Sequence, residues 1–486
     1  MNVLFRLATI GLVLIATVGR VPADDRPNLV FLLTDDQATY SLGCYGNPDV
    51  RTPNIDRLAA EGMVFDRHYD TTAICMASRA SIFTGLHEYR TGCNFEHGNL
   101  VQEKWDRSYP VLLRKAGYRT ALAGKFGVEI SPRPDAEGRL PIEDFNRWGG
   151  GPGQTHYATK KNESMVEYAD EYPHSTLAYG AFGRDFIRES TKGDEPFCLS
   201  ISFKAPHRPT TPDPRFDDVY AGKTFAKPAN YGREHGRHFS EQSRQGRQYV
   251  RFEEWGYADN YDAVMATYHQ QVHGIDAAVG MIRDAIADSG AQENTVVVFT
   301  SDNGFLCGSH GYGSKVLPYE EASRVPLILY LPGRENTGKG LRCGALTGNV
   351  DFHPTLLELA GIAPPEGIDG RSLLPLYHDP SASIREQLPL INVYGPKETH
   401  SLAVVTADWK YVHWPYDEGA FEATEELYFI GEDPLELENL AADPAHRSQL
   451  DRMRKRYDRE VGSWRERAVP FHGYHPYGAW FRRKGE

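Results

Sequence analysis

Cysteine is scarce. The 486 residues hold six, Cys44, Cys75, Cys93, Cys198, Cys307 and Cys343, and no two stand in a C-x-x-C pair. That spacing excludes a zinc ribbon, and a chain of this length does not need disulfides to fold. Positive charge is short as well: Lys and Arg total 53 against 66 Asp and Glu, a formal charge of −13. A general nucleic-acid binder needs a basic surface, so nucleic acid is not expected as a partner. Repeats and low-complexity tracts are missing. Hydrophobic residues at 40% and charged residues at 24% exclude a collagen, a coiled coil or a disordered chain. Long apolar runs are missing except near the start. There Arg6 precedes a short apolar stretch at 8–19, and Val21-Pro22-Ala23 offers a small-residue cleavage site. Residues 1–23 read as a signal peptide. The mature chain is then exported, to the periplasm or the extracellular space, with no membrane span.

What is present is an alternation. Short apolar runs at 28–33 (NLVFLL), 118–123, 197–203, 295–300 (TVVVFT) and 325–331 read as buried strands. Between them Pro53 opens a helix with Ile55, Leu58 and Ala59 on one face, and another helix starts near Ser78. Tyr261, Val264, Met265, Tyr268, Val272, Ile275, Val279, Ile282 and Ile286 recur at three- and four-residue steps along a long amphipathic helix. Buried strands alternating with helices predict an α/β fold, a large α/β/α sandwich around a mostly parallel mixed sheet. Segments 130–173 and 205–256 read as irregular, in the manner of functional loops. From about 390 the pattern changes to short strands at 402–405, 410–414 and 427–430. Leu450, Met453, Tyr457, Val461 and Trp464 then mark a final helix. The expected division is 24–390 for the large domain and 391–486 for a smaller antiparallel α+β domain.

In such sheets ligands sit beyond the carboxyl ends of the strands. Two acidic motifs fall there: Asp35-Asp36 after the first strand and Asp302-Asn303 after 295–300. Adjacent carboxylates repel unless a cation neutralises them, and an all-oxygen donor set suits Ca²⁺ or Mg²⁺. Cys75 stands just before a helix start, with Arg79 four residues on. That positive setting lowers a thiol pKa or holds an anionic substrate. Lys125, His207 and Lys315 each fall in a turn, and a tetrahedral anion needs such a cluster of cations around it.

Several stretches together resemble the formylglycine-dependent sulfatases of the alkaline-phosphatase-like superfamily. They are PNLVFLLTDD at 27–36, TPNIDRLAAEG at 52–62, CMASRASIFTG at 75–85, AGK at 123–125, KAPHRP at 204–209, VVVFTSDNG at 296–304 and SKVLPYEEASRVPLILYLPG at 314–333. The resemblance covers nearly the whole mature chain. It implies that a maturase oxidises Cys75 to formylglycine, whose hydrate supplies the nucleophile. Asp35, Asp36, Asp302 and Asn303, with an oxygen of modified residue 75, would hold one Ca²⁺. Arg79 would steady the modified residue, and Lys125, His207 and Lys315 would contact the sulfate or the leaving oxygen. The implied activity is hydrolysis of a sulfuric ester, with a sulfated carbohydrate or an aryl sulfate as substrate.

Two positions depart from the family pattern. Ala77 stands where proline is most frequent. Gly127 stands where many members carry a histidine two residues after the lysine. His156, His269, His273 and His310 are the candidates to replace that histidine, and His310 is favoured because it follows Asp302-Asn303 closely. The same scaffold also suits a phosphonate monoester hydrolase or phosphodiesterase, or a binder of sulfated glycan with Cys75 unmodified. One further stretch stands out against the net negative charge: Arg233, Arg237, Arg244, Arg247 and Arg251, interleaved with His235, His238, Phe239 and Tyr249. It reads as a solvated loop or, if it borders the cleft, as a grip on further sulfates or carboxylates.

Overall fold

Leu29, Phe31 and Leu33 point to one side of the first strand and Val30 and Leu32 to the other, and both sets are buried in separate apolar clusters. A run apolar at every position is the mark of a strand covered on both faces. The structure, a computed structural model, describes residues 26–484; the expected signal peptide lies outside the described residues. Eight strands form the main sheet: β1 (Asn28–Asp35), β2 (Met63–Tyr69), β3 (Arg119–Lys125), β4 (Arg147–Gly151), β5 (Phe197–Pro206), β6 (Thr295–Ser301), β7 (Leu327–Tyr330) and β8 (Leu341–Gly348). Their order is β8-β2-β7-β6-β1-β5-β3-β4. Only β7 runs against its neighbours; the other pairings are parallel. The mostly parallel mixed sheet is as expected.

Helices cover both faces. On one, α1 (Pro53–Glu61), α3 (Ser175–Ser190) and α5 (Tyr261–Asp288) pack over Val30, Leu199, Ile201 and Phe299. The stripe expected along α5 is that inner face, with Val264 the one member left partly exposed. On the other face lie α2 (Cys75–Thr84) and α6 (Phe352–Leu359), around Phe31, Phe83, Phe126 and Leu356.

The region expected to be irregular at 130–173 contains β4, an edge strand of sequence RWGGG. It has no apolar alternation because it needs none: a β-carbon at Gly149 would lie 2.8 Å from both Met165 Sδ and Phe182 Cε2, so glycine lets helix and strand approach closely. Likewise 205–256 contains α4 (Arg247–Glu254), an eight-residue helix. All six cysteines are free. Among the described residues no helix is long and apolar enough to cross a membrane.

A second sheet of four antiparallel strands, β9 (Leu388–Asn392), β10 (Ser401–Val405), β11 (Lys410–Trp414) and β12 (Thr424–Tyr428), follows. One face packs against α7 (Arg447–Arg467) through the expected five residues, Leu450 to Trp464, all buried. The other packs through Trp414 and Tyr428 onto Tyr69 and Tyr319 of the large unit. In that seam Lys410 Nζ lies 2.7 Å from Glu320 Oε1 and 2.8 Å from Glu436 Oε1.

Burial, opposed by Lys410, lifts the Glu436 carboxyl to about 8. The folded chain therefore keeps a proton that an unfolded glutamate, with a pKa of about 4.3, releases. Stability from this group is present at low pH and is lost as pH rises through about 8. The thermal midpoint should fall between pH 6 and pH 9, and Glu436→Gln should flatten that fall. An equal slope in the variant would refute the assignment.

Candidate active site

β1 and β6 are parallel neighbours in register, with Thr34 opposite Ser301. Their carboxyl ends therefore coincide, and Asp35-Asp36 meets Asp302-Asn303. Asp36 takes a left-handed backbone, φ 69°, and its amide faces Asp302 Oδ1 at 3.4 Å. Cys75 is the first residue of α2, a helix buried at all ten positions. Its Sγ lies 3.3 Å from Asp35 Oδ1 and 2.6 Å from Lys315 Nζ. Lys125, at the end of β3, reaches Asp35 Oδ2 at 2.5 Å. Lys315 also pairs with Asp36. His207, just past β5, turns its Nδ1 to the Arg208 carbonyl. Its Nε2 stands 3.8 Å from Asp36 Oδ2.

Arg79 lies wholly buried beneath this cluster. Its Nε is 2.7 Å from Asp302 Oδ2, and its Nη1 donates to both the Lys125 carbonyl and Ser202 Oγ, while Nη2 is buried without a hydrogen-bond partner. The guanidinium also explains Gly127. That residue has φ 77°, and a β-carbon there would lie 2.5 Å from Arg79 Cδ. The place a side chain would need is filled by Arg79.

The electrostatics follow from burial and pairing. Burial opposes charge on Asp35, yet Lys125, His207, Lys315 and Arg79 hold its carboxyl well below the usual range. Burial likewise opposes the Lys315 ammonium, which Asp36, Cys75 and Asp35 nonetheless hold well above its ordinary value. The Cys75 thiol goes the other way from the sequence expectation: burial, then Asp35, pushes it up to about 12. Lys125 and Lys315 oppose the rise, but burial outweighs them, so the setting does not activate it as a thiol.

Asp35, Asp36, Cys75 and His207 offer atoms that lie within 4.8 Å of one another, a grouping able to hold a metal ion. Asn303 supports the fit. Its amide nitrogen donates to Asp36 Oδ1 at 2.7 Å and to the Gly304 carbonyl at 2.9 Å, while its Oδ1 is buried without a hydrogen-bond partner. An orphaned buried amide oxygen on a residue that touches Asp36 is a further candidate donor for a hard cation.

The structure thus brings together Asp35, Asp36, Cys75, Arg79, Lys125, His207, Asp302, Asn303 and Lys315. It does not bring His310, which corrects that expectation. His310 is wholly buried, its Nδ1 on the His235 carbonyl at 3.0 Å, its Nε2 by Asn230 and its ring 4.5 Å from Phe239. The loop after Asn303 carries it away from the strand ends. His269 packs on Phe225, and His273 faces the Arg51 carbonyl. A cavity of about 580 Å³ opens over Cys75, lined also by Arg208, Arg247, Arg251, Trp255, Phe95 and Tyr394. Of the basic stretch, Arg233 pairs with Glu253 and Arg244 donates to the carbonyls of Gly236, Arg237 and Phe239; Arg247 and Arg251 reach the cavity. Trp255 and Tyr394 were not anticipated. The signal available for Trp255 was its spacing, four residues beyond Arg251.

An α/β/α sandwich with buried acidic residues interleaved with buried cations at its strand ends is the arrangement of a class of ester hydrolases. The comparisons with known proteins narrow it. The model described as Sulfatase matches residues 27–362, and that described as N-sulphoglucosamine sulphohydrolase, C-terminal, matches 308–461. The chain belongs to the sulfatase family and is an enzyme of that kind. It is 28% identical to an N-acetylglucosamine-6-O-sulfatase of Bacteroides thetaiotaomicron, over 85% of this chain and 82% of that one. A solved structure in complex with its substrate D-glucosamine-2-N,6-O-disulfate superposes with a TM-score of 0.74 at 25% identity, covering 91% of this chain and 98% of the other. A phosphonate monoester hydrolase of Agrobacterium radiobacter shares the fold, with a TM-score of 0.71 at 21% identity over 91% of this chain and 96% of that one.

Proposed function

We propose that the chain removes sulfate from a sulfated carbohydrate, after export, with a formylglycine made from Cys75 by a maturase and with one bound Ca²⁺. The observation that carries this reading is the position of Cys75: at a helix start, on the cavity floor, in contact with both Asp35 and Lys315. Asp35, Asp36, Asp302 and Asn303, with an oxygen at position 75, would hold the cation. Bound there, the cation supplies positive charge beside the sulfuryl oxygens, and the aldehyde hydrate at position 75 supplies an oxygen nucleophile in place of the thiol.

The chain's own residues do the rest. Lys125 and Lys315 present buried ammonium groups to the anion, fixed before it arrives, so no reorganisation is needed as charge moves. His207 presents Nε2 to the leaving oxygen, its ring oriented by the Arg208 carbonyl. Arg79 acts one layer down. It holds Asp302 in place and is the reason no side chain is accommodated at position 127. The carbohydrate class is supported by what the relatives act on.

The test is release of sulfate from defined sulfated saccharides by purified, matured protein, with a phosphodiester and a phosphonate monoester run alongside. Faster turnover of those two would favour the hydrolase whose fold this chain shares. The peptide holding residue 75 should weigh about 18 Da less than its thiol form, the elemental change from SH₂ to O on which this nucleophile depends. An unmodified peptide in active protein would refute the formylglycine.

A further inference from the structure

The cavity over Cys75 has a second lining that a lone sulfate ester does not use. Arg247 and Arg251 stand four residues apart on α4, and Trp255 follows at the next step of four. Residues so spaced share a helix face. The adjoining face, Gln248 and Phe252, is buried and anchors α4, while Arg247, Arg251 and Trp255 beside it line the cavity.

What holds these side chains is as informative as where they point. The Arg251 guanidinium lies 4.3 Å from the centre of the Trp255 ring and donates to Ser314 Oγ at 3.0 Å, next to Lys315. Arg208, from the segment after β5, lies over the same indole at 4.5 Å. Arg247 donates to Tyr394 Oη at 3.0 Å and lies 5.1 Å from that ring's centre. Rings and hydroxyls position all three. Among the described residues no carboxylate forms an ion pair with Arg208, Arg247 or Arg251, whereas Arg233 beside them is paired to Glu253. Burial, then the like charge of Arg247, brings Arg251 down to about 10, so it remains charged at neutral pH. Phe95, 47% exposed, and Tyr394 add apolar ring faces at the mouth.

A solvated arginine patch would be splayed into water. Here three pre-oriented guanidinium groups, none of them held in an ion pair among the described residues, border one cavity that Cys75 and Lys315 also line. We infer that Arg247 and Arg251, with Arg208 across Trp255, form a second anion subsite that takes a carboxylate or a sulfate on the same saccharide that presents its ester to residue 75. This rests on the sulfated-carbohydrate reading and deepens it: the substrate is a saccharide carrying two anionic groups. Arginine forks bind such oxyanions bidentately, which fixes orientation as well as affinity.

The test separates binding from turnover. In the Cys75→Ala chain, calorimetry should compare a monosulfated saccharide with two partners bearing the same ester, one with an added sulfate and one with a uronate carboxylate. At least one of the two should bind about tenfold tighter or better, as a charge-assisted fork predicts, and that gain should shrink as salt rises. The arm that shows the gain identifies the group. Arg247→Gln with Arg251→Gln should bring the preference to within about twofold, and Arg247→Lys with Arg251→Lys should restore only part of it. Equal affinity for all three saccharides, no binding of any, or a preference that survives the double glutamine change would overturn the subsite. An affinity gain without turnover by the native chain would sink the hydrolase reading and keep the subsite. Turnover with equal affinities would sink the subsite alone.

Discussion

Cys75→Ala protein should release sulfate at a rate lower by on the order of 10⁴- to 10⁶-fold, the scale on which loss of a nucleophile acts. The substitution removes one small buried group, the thiol or the aldehyde made from it, and little else. Cys75 is 1% exposed and its Sγ contacts are Asp35 and Lys315, which remain paired with Lys125 and Asp36. Deleting one buried group of about methylene size usually costs about 1 kcal/mol, so the fold should stand. A plain thiol gives no alternative route, because burial and Asp35 hold it at about 12 and it stays protonated at neutral pH. Cys75→Ser discriminates further: its activity should depend on whether the host's maturase accepts serine. Both variants should be assayed beside the wild type with the mass of the residue-75 peptide in hand. Wild-type rate in the alanine form would end the formylglycine reading.

The main sheet was readable where both of its faces are covered. Asn28–Asp35 and Thr295–Ser301 are apolar at nearly every position, and their polar ends announce the site. Met63–Tyr69 was not readable, because Asp66, Arg67 and His68 interrupt its apolar character; His68 is buried by a hydrogen bond to Thr347, a partner 279 residues away. Ser175–Ser190 hides behind Gly180 and Gly183, which lower helical propensity but let α3 sit against Ala278 and Ile282 of α5. Much of the site was legible, since Asp35, Lys125, His207 and Asp302 stand at or just past strand ends and Cys75 opens a helix, whereas Arg79 lies within that helix and Lys315 in a loop. His310 departs from the expectation because nearness in sequence to Asn303 is not nearness in space: a loop with φ 55° at His310 turns it onto Phe239. The basic stretch was half legible. Charge marked it, but only the four-residue step through Arg247, Arg251 and Trp255 separates the cavity side from Arg244, which is spent on backbone carbonyls.

Asp302 should prove costlier to remove than a metal ligand alone. Its Oδ2 is 2.7 Å from Arg79 Nε, and both side chains are fully buried. Removing one partner of a buried ion pair leaves the other uncompensated, at about 3–5 kcal/mol. Asp302→Ala should therefore lose both turnover and much of the stability, with Arg79 left only its bonds to the Lys125 carbonyl and Ser202. Asp302→Asn is the sharper probe. The amide oxygen can still accept from Arg79, so more of the fold is kept, while a charged donor to the proposed cation is lost. The readout is the melting temperature after chelation and after addition of Ca²⁺. In the wild type, Ca²⁺ at a hundred times its dissociation constant should add about 2.7 kcal/mol. In Asp302→Asn the same concentration should add much less, because the weaker site is not saturated. Wild-type melting that is indifferent to chelator and to Ca²⁺ would remove the cation from this site. An Asp302→Ala protein that melts with the wild type would show that the Arg79 pair is not what holds these strand ends together.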